Sequence, residues 1–503
     1  MPQKSHEDNG RSSDRAVDRR GRKLALNDKG QEETLELRDD CMLVFGGDAG
    51  DKGDHTLKCY EQLVSLKKRH PEHVVLLVGN RDVNKMRFTS ELHDTEMNLH
   101  SMAKEVLEGP MWVPEDKRMT LKQYLANEQK REYRDVAEDT IEAANTKTNR
   151  LKWMLEHTMG AQGDFERRRN ELMVRREVDN VTNEDVVKSY LDSVREGGVL
   201  REFLLHGSLA FVAHQTLFVH GGIIHGDNDA SLSALGRVPD EPSKHFDSVL
   251  EWVDRLNAWY KNQVQEWIEH PTWNKDHSFR GGNELLQYVL PGDTGSVVIG
   301  RHLMASGMPI LLPDTIASQL SENRIRRVIV GHTPHGNCPT VVKQPHQEKD
   351  TCAADRSDDE VVFQDVIMCD TSYSDANARD NRGGAASSVV VEAAGRLLVN
   401  GVLEDGQCIA YDDDDPWVGR WLQDGSMVKA RLANEGASGE EDSYLVFRVE
   451  IGYSYSYCYH TITQLRGHWS EEMTCSIILN LNQQMHFSGC FNMSLSECSL
   501  RAT

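Results

Sequence analysis

Short apolar runs along this chain stop at a glycine that is followed by a polar residue. The run 41–45 ends at Gly46-Gly47-Asp48, and the run 74–78 ends at Gly79-Asn80. Between them, residues 55–69 carry apolar side chains at helical spacing. Fully apolar strands on either side of an amphipathic helix are typical of a parallel strand–helix–strand unit that is buried on both faces. The pattern therefore predicts an α/β fold.

Strands with the same kind of ending recur later in the chain. Residues 210–212 and 216–219 are predicted strands, and the second of them ends at His220. The run 328–330 ends at Gly331-His332, and further strands are predicted at 361–368 and 388–392. Four predicted strands therefore end in a residue that can bind a metal ion.

The rest of the chain is arranged around this α/β unit. We predict one domain over residues 34–395, in which residues from about 89 to 206 form a helical insertion because their apolar positions follow helical spacing. The simplest interpretation of the insertion is a packed helical cap; gating of substrate or docking of a partner is the alternative. Residues 1–33 are predicted to form a disordered, charged arm. Residues 396–452 are predicted to form a β-rich extension, and residues 453–503 an irregular tail for which disorder is one explanation.

Composition narrows the class of protein. The formal net charge of −23 argues against nucleic acid or an anionic membrane as a partner, because both favour a basic surface. No apolar stretch approaches the roughly 18 residues that a membrane span needs, and the N-terminus has no apolar signal segment. The ten cysteines form no CxxC pair and no disulfide pattern. These features predict a cytoplasmic protein.

The candidate metal ligands of the chain are Asp48, Asn80, His220 and His332. In open parallel sheets, ligands bind outside the carboxyl ends of the strands, where all four residues are predicted to lie. A carboxylate, an amide oxygen and two imidazoles suit Mn, Fe, Zn, Ni or Co without choosing among them. Each residue alone is more simply a turn or structural residue, but all four at strand ends predict a metal site.

The same segments resemble the calcineurin-like metallophosphoesterase superfamily, and within it the phosphoprotein phosphatases of the Shewanella-like type. The resemblance covers roughly residues 41–395, interrupted by the helical insertion. Its motifs are GDAGDKG at 47–53 (family GDxxDRG), GNRD at 79–82 (GNH followed by Glu or Asp), HGG at 220–222, GHTP at 331–334, CDTSY at 369–373 (SAPNY) and NRGG at 381–384. The first four of these motifs, in family order and each after an apolar run, are together far more specific than any one of them.

The resemblance implies a fold and an activity. The fold would be a metallophosphoesterase β-sandwich flanked by helices, with two bound divalent metal ions such as Mn, Fe or Zn. The activity would be hydrolysis of phosphomonoesters, as in serine/threonine phosphatases, by a metal-bound hydroxide. The partner would be a phosphorylated protein or small molecule.

Individual roles follow from the matched positions. Asp48 would bridge two metal ions, while Asn80, His220 and His332 would complete the second metal site. Lys52 stands where the family has a phosphate-binding Arg, and it supplies a point charge in place of a bidentate fork. The remaining assignments are Arg81, Asp82 and Asp51 in or beside the catalytic site, Arg301 and Tyr373 at the substrate phosphate, and His335 as a further candidate metal ligand.

Two departures from the family bear on activity. The family's D-x-H motif, which supplies ligands to the first metal ion, does not precede Asp48. The matched motifs therefore supply a complete set of ligands for only one ion. The family's catalytic His after Asn is replaced by Arg81, which stays protonated and cannot donate a proton to a leaving alkoxide. We therefore expect a preference for good leaving groups, such as aryl phosphates or phosphate anhydrides.

Two other functions remain open from the sequence. Hydrolysis of a nucleotide or dinucleotide polyphosphate is compatible with the GHTP segment and with Arg81. A catalytically impaired pseudophosphatase that acts as a binding module is compatible with both departures. Metal content separates the enzymes from the binding module.

Overall fold

The computed structural model describes residues 34–100, 104–130, 133–227, 231–292, 295–304, 306–344, 363, 365–371, 385–433, 441–450 and 455–467. The predicted arm at 1–33, Tyr373 and the tail beyond 467 lie outside these residues.

The described chain forms strands and helices that follow one another in runs. The strands are β1 (Leu43–Phe45), β2 (Val74–Leu77), β3 (Gly207–Ser208), β4 (Ala210–Ala213), β5 (Thr216–Val219), β6 (Ile224–Asp227), β7 (Ser231–Leu235), β8 (Arg327–Val330), β9 (Thr340–Lys343), β10 (Asp365–Met368), β11 (Ala386–Val391), β12 (Leu397–Val402), β13 (Cys408–Asp412), β14 (Met427–Arg431), β15 (Ser443–Val449) and β16 (Tyr455–Thr461). The α-helices are α1 (Thr56–Arg69), α2 (Asn80–Val83), α3 (Arg87–Glu91), α4 (Lys104–Glu108), α5 (Leu121–Glu128), α6 (Glu138–Ala144), α7 (Lys147–Trp153), α8 (Asp164–Arg176), α9 (Asn183–Val194), α10 (Val199–Leu205), α11 (Val249–Glu269), α12 (Asn283–Tyr288), α13 (Asp314–Glu322) and α14 (Ile462–Gly467). Single 3₁₀ turns lie at Asn84–Met86, Asp94–Glu96, Glu115–Lys117 and Tyr133–Asp135, and a π-helical turn, Met154–Thr158, follows α7.

The first sheet contains β1, β2 and β3, all parallel. Helix α1 connects β1 to β2 and buries Leu57, Tyr60 and Leu63. All four residues of β2 are buried. The predicted parallel strand–helix–strand unit is therefore confirmed.

The second sheet has the order β4-β5-β8-β10-β9. Its central strands β5, β8 and β10 are parallel, and the edge strands β4 and β9 are antiparallel to their neighbours. The hairpin between β4 and β5 turns at His214 and Gln215, whose φ angles of 47° and 59° fit a type I′ turn.

The second sheet separates two apolar cores. On one face Val328, Val330 and Val366 join the larger core, which also contains α1 and the helices of the insertion. On the other face Ile367 packs with Val399 and other residues of β12 to β15 in a second core. Because alternate residues of a strand point to opposite faces, one short strand serves both cores. The predicted α/β class is confirmed.

The segment predicted as a helical insertion is helical where it is described. Helices α3 to α10 occupy it, and α5, α7, α8 and α9 lie at the segments with amphipathic spacing. Thr120 and Thr182 begin α5 and α9, and each accepts a hydrogen bond from the third helical residue in a capping box.

The chain after residue 395 forms two antiparallel three-stranded sheets, β11-β12-β13 and β14-β15-β16. Strand β16 and helix α14 lie beyond residue 452, in the segment predicted as an irregular tail. The register pairs Tyr457 with Phe447 and Tyr459 with Leu445, so ordered structure continues to Gly467. In the part of the chain that is described, no helix combines the length and apolar character needed to cross a bilayer.

Candidate metal site

Asp48, Asn80, His220 and His332 each follow the carboxyl end of a parallel strand. Asp48 follows β1 and Asn80 follows β2 in the first sheet, whereas His220 follows β5 and His332 follows β8 in the second sheet. The carboxyl ends of both pairs face one another, as expected for a ligand site of an α/β sheet.

Three of these side chains converge closely. Asp48, His220 and His332 each place one potential ligand atom so that all three atoms lie within 4.8 Å of one another. The His220 Nε2 atom is 3.5 Å from Asp48 Oδ1, and the two imidazole ring centroids are 5.2 Å apart. Asn80 lies beside this cluster, because the amide of the next residue, Arg81, donates to Asp48 Oδ1 at 2.9 Å.

The backbone is bent sharply at the cluster. Asp48 and His332 have φ angles of 56° and 67°, in the left-handed region that residues with a Cβ adopt at a cost of about 1–3 kcal/mol. Gly79 lies so close to Asp48 that a Cβ on it would be 2.0 Å from Asp48 Oδ1. Such strain occurs at functional sites when the surrounding structure fixes it.

Several buried polar atoms of the cluster lack a hydrogen-bond partner among the described residues. They are Asn80 Oδ1, His220 Nε2 and His332 Nδ1. The opposite nitrogen of His220, Nδ1, donates to the Gly46 carbonyl at 2.6 Å, which fixes the ring and turns Nε2 toward the cluster. Buried polar atoms without a partner are costly unless another group satisfies them, and a cation bound by these atoms, with His220 deprotonated, would do so.

The electrostatics of the cluster favour an ionised carboxylate. Burial opposes ionisation of Asp48, but His220, Arg81 and His332 outweigh it and hold the Asp48 pKa below its ordinary value. Burial also opposes the charge on His220, yet the Asp48 carboxylate raises the His220 pKa to about 9. Burial and the neighbouring His220 lower the pKa of His332 to about 3. His332 is therefore a neutral donor, the form that binds metal ions.

Asp82 holds the two loops of the first sheet together. Burial and the Asp48 charge raise its pKa to about 6. Its carboxyl oxygens accept four hydrogen bonds, from the amides of Asp48 (2.8 Å), Gly79 (2.8 Å) and Ala49 (3.0 Å) and from the hydroxyl of Tyr60 (2.5 Å). Asp82 is therefore a positioning residue between the GDAGDKG and GNRD segments.

Arg81 lies against the cluster. Its Nε atom is 3.5 Å from Asp48 Oδ2, its Nη1 atom is 3.7 Å from Asp51 Oδ2, and Nη1 also donates to the Gly160 carbonyl at 3.2 Å. Asp51 is buried and forms an ion pair of 2.6 Å with Lys85. Lys85 is not among the predicted site residues, although its position five residues after Asn80 on the same helical segment is a signal for it.

The other predicted residues differ in their placement. Arg301 is exposed, and its charge helps to lower the His332 pKa, so it lies on the side of His332. The amide of Lys52 donates to Asp164 Oδ1 at 3.0 Å. His335 is not brought to the cluster: it is fully buried, its Nδ1 contacts Thr340 Oγ1 at 2.8 Å and its Nε2 contacts the Gly307 carbonyl at 3.0 Å. The suggestion that His335 is a further ligand is thus corrected, because both ring nitrogens are engaged elsewhere.

Comparison with known proteins gives limited similarity. No protein-family model and no curated protein matches the chain. Among solved structures, the cold-active protein-tyrosine phosphatase of a psychrophilic Shewanella species is similar, with 11% identity, a TM-score of 0.31, and coverage of 74% of this chain and 69% of that chain. Another structure of cold-active protein tyrosine phosphatase has 13% identity, a TM-score of 0.30, and coverage of 74% and 68%. At these scores the function has to be argued from the site itself.

Proposed function

We propose that this protein is a metal-dependent phosphatase that hydrolyses phosphomonoesters in the manner of serine/threonine phosphatases. The observation that carries the proposal is the convergence of Asp48, His220 and His332, with Asn80 beside them, at the ends of strands from two sheets. The buried ligand atoms of Asn80, His220 and His332, which lack hydrogen-bond partners among the described residues, fit a bound cation.

A divalent cation such as Mn, Fe or Zn would be held by Asp48, Asn80, His220 and His332. It would supply Lewis-acid polarisation of the phosphate and activation of the attacking water. A second ion that shares Asp48 would need further ligands. Of the nearby carboxylates, Asp51 is paired with Lys85 and Asp82 accepts four hydrogen bonds, which supports one tightly held ion for each chain.

The substrate phosphate would meet positive charge from the chain itself. Arg81 stands beside Asp48, Arg301 lies on the side of His332, and Lys52 follows in the GDAGDKG loop. Since an arginine cannot protonate a leaving alkoxide, Arg81 would stabilise negative charge without acting as a general acid. Substrates with good leaving groups are therefore the proposed class, which includes polyphosphates of nucleotides.

One observation favours a binding module as the second candidate. The Arg81 guanidinium lies 3.5 Å from Asp48 Oδ2 and competes with a cation for that carboxylate. A pseudophosphatase would keep this ion pair and hold little metal. The distinction is one of metal content.

The test is to measure the metal content and the aryl phosphate hydrolysis of the full chain and of Asp48→Asn. We expect about one Mn²⁺ for each wild-type chain after loading, and a fall of at least about a hundredfold in kcat/KM for p-nitrophenyl phosphate in Asp48→Asn, with loss of the ion. The matched control is Asp54→Asn, the same isosteric change at an exposed side chain six residues away. This control should keep both properties.

Two outcomes would contradict the proposal. Wild-type chain that retains far less than one ion and shows no turnover would favour the binding module. Turnover that is equal in wild type and in Asp48→Asn would place the reaction elsewhere in the molecule.

A further inference from the structure

One face of helix α8 packs along the loop after Asp48 and along helix α1. Asp164, Glu171 and Arg175 are spaced by seven and four residues, so they lie on one face of the helix. In the same order they contact Lys52, then Leu57 with Lys58, then Glu61. Helix α8 belongs to the helical insertion, so the insertion contacts the candidate site directly.

The two carboxyl groups that make the first of these contacts are buried. Asp164 and Glu171 are only 3% and 2% exposed. The Glu171 carboxylate accepts from the amides of Leu57 and Lys58 at 3.1 Å and 3.0 Å, and so caps α1, whose own N-cap residue, His55, makes no side-chain cap bond. Buried carboxylates are costly unless they are fully paired, so a helix that served only to cover the core would carry apolar residues here.

Asp164 and Asp51 form a carboxyl pair. The two groups are hydrogen-bonded to each other, and Asp164 also accepts from the Lys52 amide. Two adjacent buried carboxyls do not both ionise. Burial and the Asp51 charge raise the pKa of Asp164 to about 7, whereas Lys85 and Arg81 stabilise the charge on Asp51. Asp164 therefore donates a hydrogen bond to Asp51 and accepts hydrogen bonds from the Lys52 amide and, at 2.6 Å, from Arg167 Nη1.

The same insertion also contacts Arg81. The Gly160 carbonyl, four residues before Asp164, accepts from Arg81 Nη1 at 3.2 Å, and Asp51 lies 3.7 Å from that nitrogen. Arg81 is thus oriented from both sides by groups that depend on residues 160–164. Its Nε atom also lies 3.5 Å from Asp48 Oδ2.

We propose that residues 160–164, through Gly160 and Asp164, are a positioning element of the candidate metal site and hold Lys52 and Arg81 for phosphate binding. This inference rests on the proposed function. It assigns the insertion a part in substrate binding beyond that of a packed cap. Asp164 acts through Asp51 and Lys52 and does not itself contact the cation.

The test compares Asp164→Ala with Asp164→Asn in the full, Mn²⁺-loaded chain. The asparagine can accept from the Lys52 amide and donate to Asp51, so it should keep KM for p-nitrophenyl phosphate and the inhibition constant of inorganic phosphate within about twofold of wild type. The alanine should raise both constants by about tenfold while Mn²⁺ content is unchanged. Asp164→Glu, which keeps the carboxyl but displaces it, should show the same rise and replaces the alanine if that variant does not fold.

The matched control is Arg175→Ala on the same helix. It removes the partially exposed pair with Glu61 at the far end of α8 and should leave both constants unchanged. Hydrogen exchange of residues 48–53 gives a readout that does not depend on turnover, and it should rise in Asp164→Ala but not in Arg175→Ala.

The outcomes separate the two proposals. If wild type binds Mn²⁺ and hydrolyses the substrate but Asp164→Ala matches it in KM, phosphate inhibition and exchange, the positioning role is wrong and the phosphatase proposal stands. An asparagine variant as impaired as the alanine would also overturn the hydrogen-bonding role. If wild type neither holds Mn²⁺ nor turns over, both proposals fail together.

Discussion

At the scale of single residues, the position of Asp48 depends on Gly79. A Cβ at Gly79 would lie 2.0 Å from Asp48 Oδ1 and 2.6 Å from the Asp48 amide nitrogen. Gly79 itself has φ −97° and ψ 172°, which any residue can adopt, so the requirement for glycine here is one of space. The glycine of the GNRD segment is therefore explained by close approach to the carboxylate.

We expect Gly79→Ala to displace Asp48 and to weaken Mn²⁺ binding by at least about tenfold, with a loss of about 1–3 kcal/mol in the free energy of unfolding from overpacking. Titration calorimetry with Mn²⁺ and urea unfolding measure the two effects. The matched control is Gly46→Ala, since a Cβ on that exposed glycine has no atom within 4 Å. Equal Mn²⁺ affinity in both variants would show that Gly79 does not set the position of the carboxylate.

The sequence predicts some site residues and not others for a physical reason. Asp48, Asn80, His220 and His332 each end an apolar run, so local pattern and the geometry of parallel sheets are enough to place them. Asp164 contacts Lys52 across 112 residues, and that contact depends on how the insertion packs. His335 was suggested because it is near His332 in sequence, but the chain turns at Gly336 and buries it against Thr340.

At the scale of elements, two buried residues of opposite charge lie side by side at the first positions of the parallel strands β8 and β10. Arg327 and Asp365 are 0% and 2% exposed and are opposite one another in the register. Arg327 is also bound by Asp413 at 2.5 Å, so Asp365 receives only a longer contact of 3.7 Å. Burial therefore raises the pKa of Asp365 to about 6, despite the nearby Arg327.

This shift predicts a pH dependence of stability. Between its ordinary pKa of 3.8 and about 6, Asp365 holds a proton in the folded protein that the unfolded chain has released. The free energy of unfolding therefore falls as pH rises through that window, and Asp365→Asn removes the effect. We expect the free energy of unfolding of Asp365→Asn, relative to that of wild type, to increase by on the order of 1 kcal/mol between about pH 5 and about pH 7.5. Urea unfolding at each pH measures this difference.

The control for this prediction is Asp414→Asn, which makes the same change at an exposed side chain. Its stability relative to wild type should stay constant over the same pH range. A difference between Asp365→Asn and wild type that does not change with pH would contradict the raised pKa.

The local sequence pattern does not predict strands β9 and β16. Strand β9 presents only a short apolar segment, and its place at the edge of the second sheet comes from pairing with β10. Strand β16 does carry a signal, because Tyr455, Tyr457 and Tyr459 alternate with small or polar residues. Its central residues 456–459 are all exposed, so the strand lacks the buried face that marks a half-buried strand.

At the scale of the whole molecule, the region after residue 395 packs against one face of the second sheet. Val341 and Ile367 of the second sheet are buried in one core with Leu397, Val399 and Leu445. The sequence predicts these regions as a domain and a separate extension, since nothing local links apolar positions that are far apart in the chain. Their common core indicates that they fold together.

We expect a chain that ends at residue 395 to lose cooperative unfolding and to bind the dye ANS, because it exposes the second face of the sheet to water. Each aliphatic side chain so exposed forfeits roughly 1.5–3 kcal/mol. Circular dichroism melting and ANS fluorescence measure the outcome. A chain that ends at residue 467 keeps the second core and is the control. A cooperative melt of the shorter chain would show that the two regions fold independently.

The four candidate ligands are divided between two sheets, Asp48 and Asn80 on one and His220 and His332 on the other. An ion bound by all four would act as a cross-link, fastening together layers that otherwise meet through side-chain packing and the bond from His220 to Gly46. Since a ligand that binds only the folded state stabilises it in proportion to the logarithm of its concentration, folded chain would become scarcer as the cation is withdrawn. In a cell short of that cation, proteases would then set the amount of this protein.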